Sequence, residues 1–249
     1  MKKIISLIGS RAEKSNTARL AELVVGKLRE ANPSEGIENE LLFPEQWGLK
    51  PCISCNNCFL RGFCVLDEND GMKQLKEKLV AADVVIMGSP VFATHVSGDT
   101  KHLIDRLSMW LHTMPLIGKY GIVLSTTSNN NGDAVTDYLG RMMEEMGLQI
   151  VLRLNAFVHK GEPMINDLPG LNALITEPVG ILSNALFKGN RPPISATLAA
   201  YYAHKSRQIS KIKKLAAQYP HFFTGECRLW EEQGYMPYST IQELLYSRQ

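Results

Sequence analysis

Four of the chain's five cysteines fall within thirteen residues, as Cys52, Cys55, Cys58 and Cys64, while Cys227 stands far away. Two-residue spacers followed by a five-residue one bring four thiols within reach of a single metal centre. An iron–sulfur cluster needs four thiolates converging on a small cube, and tight loops with short spacers supply them. Zinc in a tetrahedral site of four thiolates is the rival, and thiols that hold no metal are the third reading. In a reducing compartment such a concentration points to metal or redox chemistry before a disulfide framework. Cys227 is not expected to join it.

Three other stretches could hold a ligand. The first, Gly9 to Thr17, is rich in donors: the hydroxyls of Ser10, Ser15 and Thr17, the amide of Asn16 and the charge of Arg11. Where such a stretch opens a helix, unpaired backbone N–H groups and the helix dipole make an anion site. A terminal phosphate suits that density of donors. The second, Gly88 to Gly98, places Pro90, Val91, Phe92 and Ala93 where an apolar wall and free backbone groups meet a flat ring. The third, Ser125 to Gly132, offers Thr126 and Thr127 to the ring's polar edge. Plainer readings exist: Ser15 as a helix cap, Phe92 as a core residue, the third stretch as a polar turn. The first stretch is neither a P-loop nor a GxGxxG fingerprint, which argues against a Rossmann dehydrogenase.

These stretches need elements to position them. Lys3 to Ile8 is a β-rich run, and Asn16 to Glu30 carries Ala18, Leu20, Ala21, Leu23, Val24 and Leu28 at helical spacing. Ile37 to Phe43 is a weaker strand; the cysteine stretch after it lacks periodicity. Then come a helix over Gly71 to Ala82, an apolar strand at Val84 to Met87, and a helix from Gly98 to Leu111. A strand at Tyr120 to Leu124 and a helix at Ala134 to Met146 follow. The last pair is a strand at Gln149 to Phe157 and a helical stretch from Leu171 to Leu186, which Pro178 should kink or split. Continuous apolar strands alternating with helices predict an α/β fold, a three-layer, doubly wound, five-stranded parallel sheet of flavodoxin-like order 2-1-3-4-5. Such a sheet binds ligands at the switch point between strands one and three. The three donor-rich stretches begin there.

Residues 1–190 are expected to form this ligand-binding domain, and residues 191–249 a helical C-terminal extension. Arg191-Pro192-Pro193 breaks the pattern, and a helix from Ser195 to Gln218 follows. The extension has too few apolar residues for an independent core and should pack on the main domain or a second subunit. Its Lys205, Arg207, Lys211, Lys213 and Lys214 read as a solvated basic face. At 45% hydrophobic and 21% charged the composition is globular, and a net charge of +2 points to no nucleic-acid partner. The first apolar run is too short for a signal peptide, and no run is long enough to span a membrane. A cytoplasmic protein is expected.

Taken together, the motifs resemble the flavodoxin-like NADPH-dependent FMN reductase family, and within it the iron–sulfur flavoproteins. The matching pieces are Gly9-Ser10-Arg11 with Asn16-Thr17, then Gly88-Ser89-Pro90-Val91-Phe92 with Ser97-Gly98, Lys101 and Asp105-Arg106. The cysteine segment through Asp70-Gly71-Met72 also matches, whereas the tail beyond Arg191 does not. The resemblance implies FMN in the three loops and a [4Fe–4S] cluster on the four cysteines, against the alternatives above. It further implies an oxidoreductase taking hydride from NADH or NADPH and reducing a quinone, another flavin or a protein. The alternative is an electron carrier exchanging with ferredoxin-type partners. No side chain need act as nucleophile or base. A homodimer or homotetramer is expected.

Overall fold

A computed structural model describes residues 1–159, 165, 170–220 and 224–248 of the 249-residue chain. Five parallel strands form one sheet: β1 (Lys2–Ile8), β2 (Ile37–Leu42), β3 (Val84–Pro90), β4 (Tyr120–Thr127) and β5 (Gln149–Phe157). Their order is β2-β1-β3-β4-β5, the doubly wound arrangement read from the sequence. Successive side chains of a strand point to opposite faces, and both faces here are covered. Ile4, Ile8, Val84, Ile86, Ile122 and Leu124 pack under α1 (Asn16–Ala31) and α8 (Leu171–Phe187). Ile5, Leu7, Val85, Met87 and Val123 pack under α4 (Met72–Ala81), α5 (Gly98–Arg106) and α7 (Gly132–Glu145). Burial on both faces explains why these strands read as unbroken apolar runs.

Two helices differ from expectation. The helix expected over 98–111 is interrupted at Leu107, where α5 ends and α6 (Ser108–Thr113) begins. The Leu107 amide is shared between the carbonyls of Leu103 and Ile104, both at 3.0 Å, while its side chain is wholly buried. Packing therefore fixes a tightened turn that periodicity does not register. Conversely, α8 runs unbroken through Pro178. The carbonyl that loses its partner is that of Leu174, a residue 58% exposed, so water can replace the missing N–H. The aperiodic stretch between β2 and α4 contains two short helices, α2 (Pro44–Trp47) and α3 (Asn57–Arg61), the latter carrying Cys58.

The extension supplies α9 (Ala196–Gln218), α10 (Gly225–Glu232) and α11 (Ile241–Tyr246). Leu198, Tyr202, Ile209, Cys227, Trp230, Tyr235, Ile241 and Leu244 form a third apolar cluster, completed by Met114 and Ile117 from the end of α6 and the turn after it. Its core is thus shared with the rest of the same chain. Trp230 Nε1 donates to the carbonyl of His112 at 2.9 Å, and Tyr235 Oη to that of Met114 at 3.0 Å. Lys205 does not belong to a solvated face: it is 5% exposed and its Nζ lies 2.9 Å from His112 Nδ1. Among the described residues no helix is long and apolar enough to cross a membrane.

Candidate functional site

The loops after β1, β3 and β4 meet at the carboxyl edge of the sheet. The Gly9 amide donates to the carbonyl of Gly88 at 2.7 Å, and the Val91 amide to that of Thr126 at 3.0 Å. Across the edge, the hydroxyls of Thr17 and Thr126 share a buried hydrogen bond of 2.6 Å. Gly9 is required by close approach: a Cβ there would lie 1.9 Å from Thr100 Oγ1 and 2.9 Å from Ser97 Oγ. Ser97 in turn caps α5, accepting from the amide of Thr100.

Within the first loop, Ser15 caps α1 by accepting from the Ala18 amide at 3.2 Å, which leaves the remaining N-terminal amides of that helix for another acceptor. Ser10 is buried, with its hydroxyl 3.3 Å from the Ala12 amide. The Asn16 side-chain oxygen is buried without a hydrogen-bond partner among the described residues. Arg11 is drawn to the start of α5: its guanidinium makes two hydrogen bonds of 2.9 Å to Asp99, and its side chain is 70% exposed. The hydrogen bond from Arg11 holds the Asp99 carboxyl below its ordinary pKa.

In the second loop Ala93 and Thr94 both take left-handed backbone conformations, with φ of 46° and 67°. They close a tight turn in which the amides and carbonyls of Phe92 and His95 pair at 2.9 and 3.0 Å. The turn carries Phe92 outward, 58% exposed, so it is not a core residue of this chain. Pro90 pairs in register with Thr126. In the third loop the Thr127 hydroxyl donates to the carbonyl of Asn130 at 3.1 Å and accepts from the Asn129 amide at 3.2 Å, which shapes the turn. Two further polar groups lie at this edge: Ser125 Oγ, which opens the third stretch but is outweighed in the sequence by Thr126 and Thr127, and Asn155 Oδ1, which the sequence does not single out. Both are buried and unpartnered among the described residues, and Ser125 and Asn155 face each other in the β4–β5 register. The signal available for Asn155 was its place at the carboxyl end of an apolar strand.

Cys52, Cys55, Cys58 and Cys64 line one cavity of about 440 Å³, which His102, Asp105 and Ser108 of α5 and α6 also line. Cys52 and Cys55 are exposed, Cys58 and Cys64 half-buried, and all four are free thiols. The backbone amide of Asn57 pulls the Cys55 thiol below its ordinary pKa, while burial pushes Cys58 up. Among the described residues no group of three or more His, Cys, Asp or Glu side chains is placed to hold a metal ion, so the four thiols share a cavity without closing on one point.

The two ends of the cysteine segment are gathered by Arg106, whose side chain is fully buried at the end of α5. It donates to the Lys50 carbonyl at 2.8 Å, to Asp67 at 2.9 Å, and to both oxygens of Asp70. Asp70 also accepts from the amides of Lys50 and Met72, each at 3.0 Å. Burial opposes charge on Asp70, but the hydrogen bonds from Arg106 and these amides outweigh it and lower its pKa. Residue 106 thus acts on residues more than thirty positions away in sequence.

The donor set fits a phosphorylated flavin: three loops converge on one edge, with hydroxyls, a free helix end and buried polar atoms lacking partners. Four thiols on a single cavity are the ligand type a thiolate-ligated cluster needs, although in this structure they do not converge on one point. Comparison with known proteins agrees on the lineage. Residues 2–162 match the family model described as NADPH-dependent FMN reductase. An iron–sulfur flavoprotein of Archaeoglobus fulgidus is 24% identical over 240 residues, covering 94% of this chain and 100% of that one. One of Clostridioides difficile is 31% identical over 183 residues, covering 74% and 78%. An apo NADH:FMN oxidoreductase structure shares the fold with a TM-score of 0.53 at 19% identity, over 79% of this chain and 91% of that chain. With its sheet order, loop motifs and clustered cysteines, the chain belongs to the NADPH-dependent FMN reductase family, in the iron–sulfur flavoprotein branch, and is an FMN-dependent oxidoreductase.

Proposed function

We propose that the protein takes electrons from NADH or NADPH and delivers them to a protein acceptor, with FMN in the three loops and an iron–sulfur cluster on Cys52, Cys55, Cys58 and Cys64. FMN supplies hydride uptake and release of electrons one at a time, and a [4Fe–4S] cluster supplies one-electron carriage. The chain's own part is binding and orientation. Ser10, Ser15, Asn16 and Thr17 hold the phosphate together with the free amides of α1, and Arg11 adds charge from the periphery. Pro90, Val91, Phe92 and Ala93 wall one face of the ring, where aromatic contact contributes about 1 kcal/mol beyond burial. Thr126 and Thr127, with Ser125, meet its polar edge.

The observation that carries the reading is the placement of α5. Its capping residue Ser97 abuts the flavin loops, while His102 and Asp105 further along the same helix line the thiol cavity. One rigid element therefore joins the two sites. Ile53, Leu60 and Phe63 stand exposed along the cysteine segment, which suits an acceptor that is itself a protein. Membership in a reductase family favours a second reading, turnover with a quinone or free flavin as acceptor. We also infer a homodimer or homotetramer, since Leu174 and Ile181 are exposed on α8.

Anaerobically purified protein should contain FMN, iron and sulfide, with a brownish absorption shoulder that bleaches on reduction. NAD(P)H oxidation should be slow with a simple quinone and accelerate with a ferredoxin-type acceptor. Absence of iron would retire the cluster, and rapid quinone turnover unaffected by Cys58→Ser would establish the second reading instead.

A further inference from the structure

We infer that the C-terminal extension is part of the thiol site, and that the first turn of α10 fixes where Cys58 and Cys64 stand. Arg106 gathers the ends of the cysteine segment, but between them the chain is poorly covered: Ile53, Leu60 and Phe63 are 60%, 65% and 53% exposed. Holding such a stretch in one conformation costs backbone entropy that local contacts do not repay. Two contacts from the extension repay it.

The first is a backbone-on-backbone approach. Gly62 caps α3 with φ of 78°, its amide donating to the Cys58 carbonyl at 2.9 Å. Gly225, the first residue of α10, lies so close that a Cβ there would stand 2.2 Å from the Gly62 nitrogen. A Cβ on Gly62 would meet Arg228 Nη2 at 2.8 Å. The turn between Cys58 and Cys64 is thereby seated on α10. The second contact acts through Phe59, whose ring meets the edge of His112 at a centroid distance of 4.9 Å. His112 Nδ1 is itself held against Glu226 of α10 and lies 2.9 Å from Lys205 of α9. Buried Lys205, with Gln208 on it at 3.2 Å, and half-buried Glu226 thus position an aromatic residue adjacent to a thiol. Gly225 and Glu226 are positioning residues. Their effect on a cluster rests on the proposed function, but their effect on the thiols does not.

The test uses full-length Gly225→Ala and Glu226→Gln. In metal-free protein, alkylation of each cysteine is followed by peptide mass spectrometry; in anaerobically purified protein, iron and FMN are counted per chain. Gly225→Ala should speed modification of Cys58 and Cys64 by about tenfold and leave Cys52 within about twofold, the pattern of a local opening. Glu226→Gln should act in the same direction by about threefold, as loss of one charge-assisted contact. Both variants should lose iron while keeping FMN. Unchanged thiol rates in either variant overturn the inference, as does loss of FMN in both together with iron, which would mean the extension supports the whole fold. Iron missing from the wild type would retire the cluster alone, leaving the thiol rates to decide the role of α10.

Discussion

The flavin edge and the thiol segment lie at the two ends of α5 and are held in place by different forces. At the edge, the loops leave parallel strands whose backbone pairing is already complete, and short amide–carbonyl bonds such as Gly9 to Gly88 continue that ladder outward. Position there follows from the sheet. The thiol segment has no ladder. It depends on a buried guanidinium at its ends and, by our inference, on a distant helix at its middle. A site built from strand ends tolerates changes in its side chains more readily than in its backbone contacts, whereas one strung between charges depends on single side chains.

The sharpest way to break this contrast is Arg106→Leu. Removing the guanidinium leaves Asp70, whose side chain is 1% exposed, without its cation, while Asp67 keeps Lys76 at 2.6 Å. Breaking a buried ion pair from one side costs about 3–5 kcal/mol. Urea denaturation should register that loss, and alkylation should show the cysteines freed before FMN is released. At the other site the matching change is Gly9→Ala. Its Cβ would overlap Thr100 Oγ1, and overpacking of this kind costs about 1–3 kcal/mol. FMN retention should fall while iron content holds. If both variants lost both groups together, the two sites would be one cooperative unit and the contrast would fail.

Acid should separate the regions as well. The Asp70 carboxyl titrates lower in the folded chain than in the unfolded one, so its contribution is complete above the ordinary aspartate pKa. That contribution disappears as the pH falls through the lowered folded value. Hydrogen exchange at descending pH should therefore show amides 50 and 72 losing protection below the ordinary carboxylate range, before those of β1 and β3. Asp70→Asn should flatten that dependence. The effect is smaller than losing Arg106, because protonated Asp70 can still donate and accept hydrogen bonds.

The contrast also explains what the sequence could disclose. Strands such as Val84–Met87 are legible because burial on both faces demands uninterrupted apolar residues, and the switch-point rule then locates the loops. The grouping of four cysteines is legible because it is local. Arg106 was visible only as part of a motif, since its partners Lys50, Asp67 and Asp70 are brought to it by the tertiary fold. The same holds for the Gly62–Gly225 approach and for Lys205, which looks like one of several solvated bases until His112 is placed beside it. Asn155 becomes interesting only as a buried atom lacking a partner, beside Ser125 of the third stretch. A proline inside a helix is a strong signal, but α8 continues through Pro178, where the carbonyl that loses its partner belongs to exposed Leu174.

Arg11 offers the finest discrimination. Its charge made it a natural phosphate partner in the sequence, yet the structure commits the guanidinium to Asp99, with Glu45 at 4.0 Å. A cation already paired, and largely in solvent, contributes a screened field to the loop and no fixed geometry. Arg11→Ala should therefore leave the unfolding midpoint where it is and weaken FMN retention by about threefold at low ionic strength, an effect that added salt removes. Asn16→Ala, by contrast, deletes an unpartnered, buried side-chain oxygen at the first turn of α1 and should weaken retention irrespective of salt. If Arg11→Ala instead abolished FMN binding at high salt, the guanidinium would have to leave Asp99 for the phosphate, and the flavin edge would depend on a single side chain just as the thiol segment does.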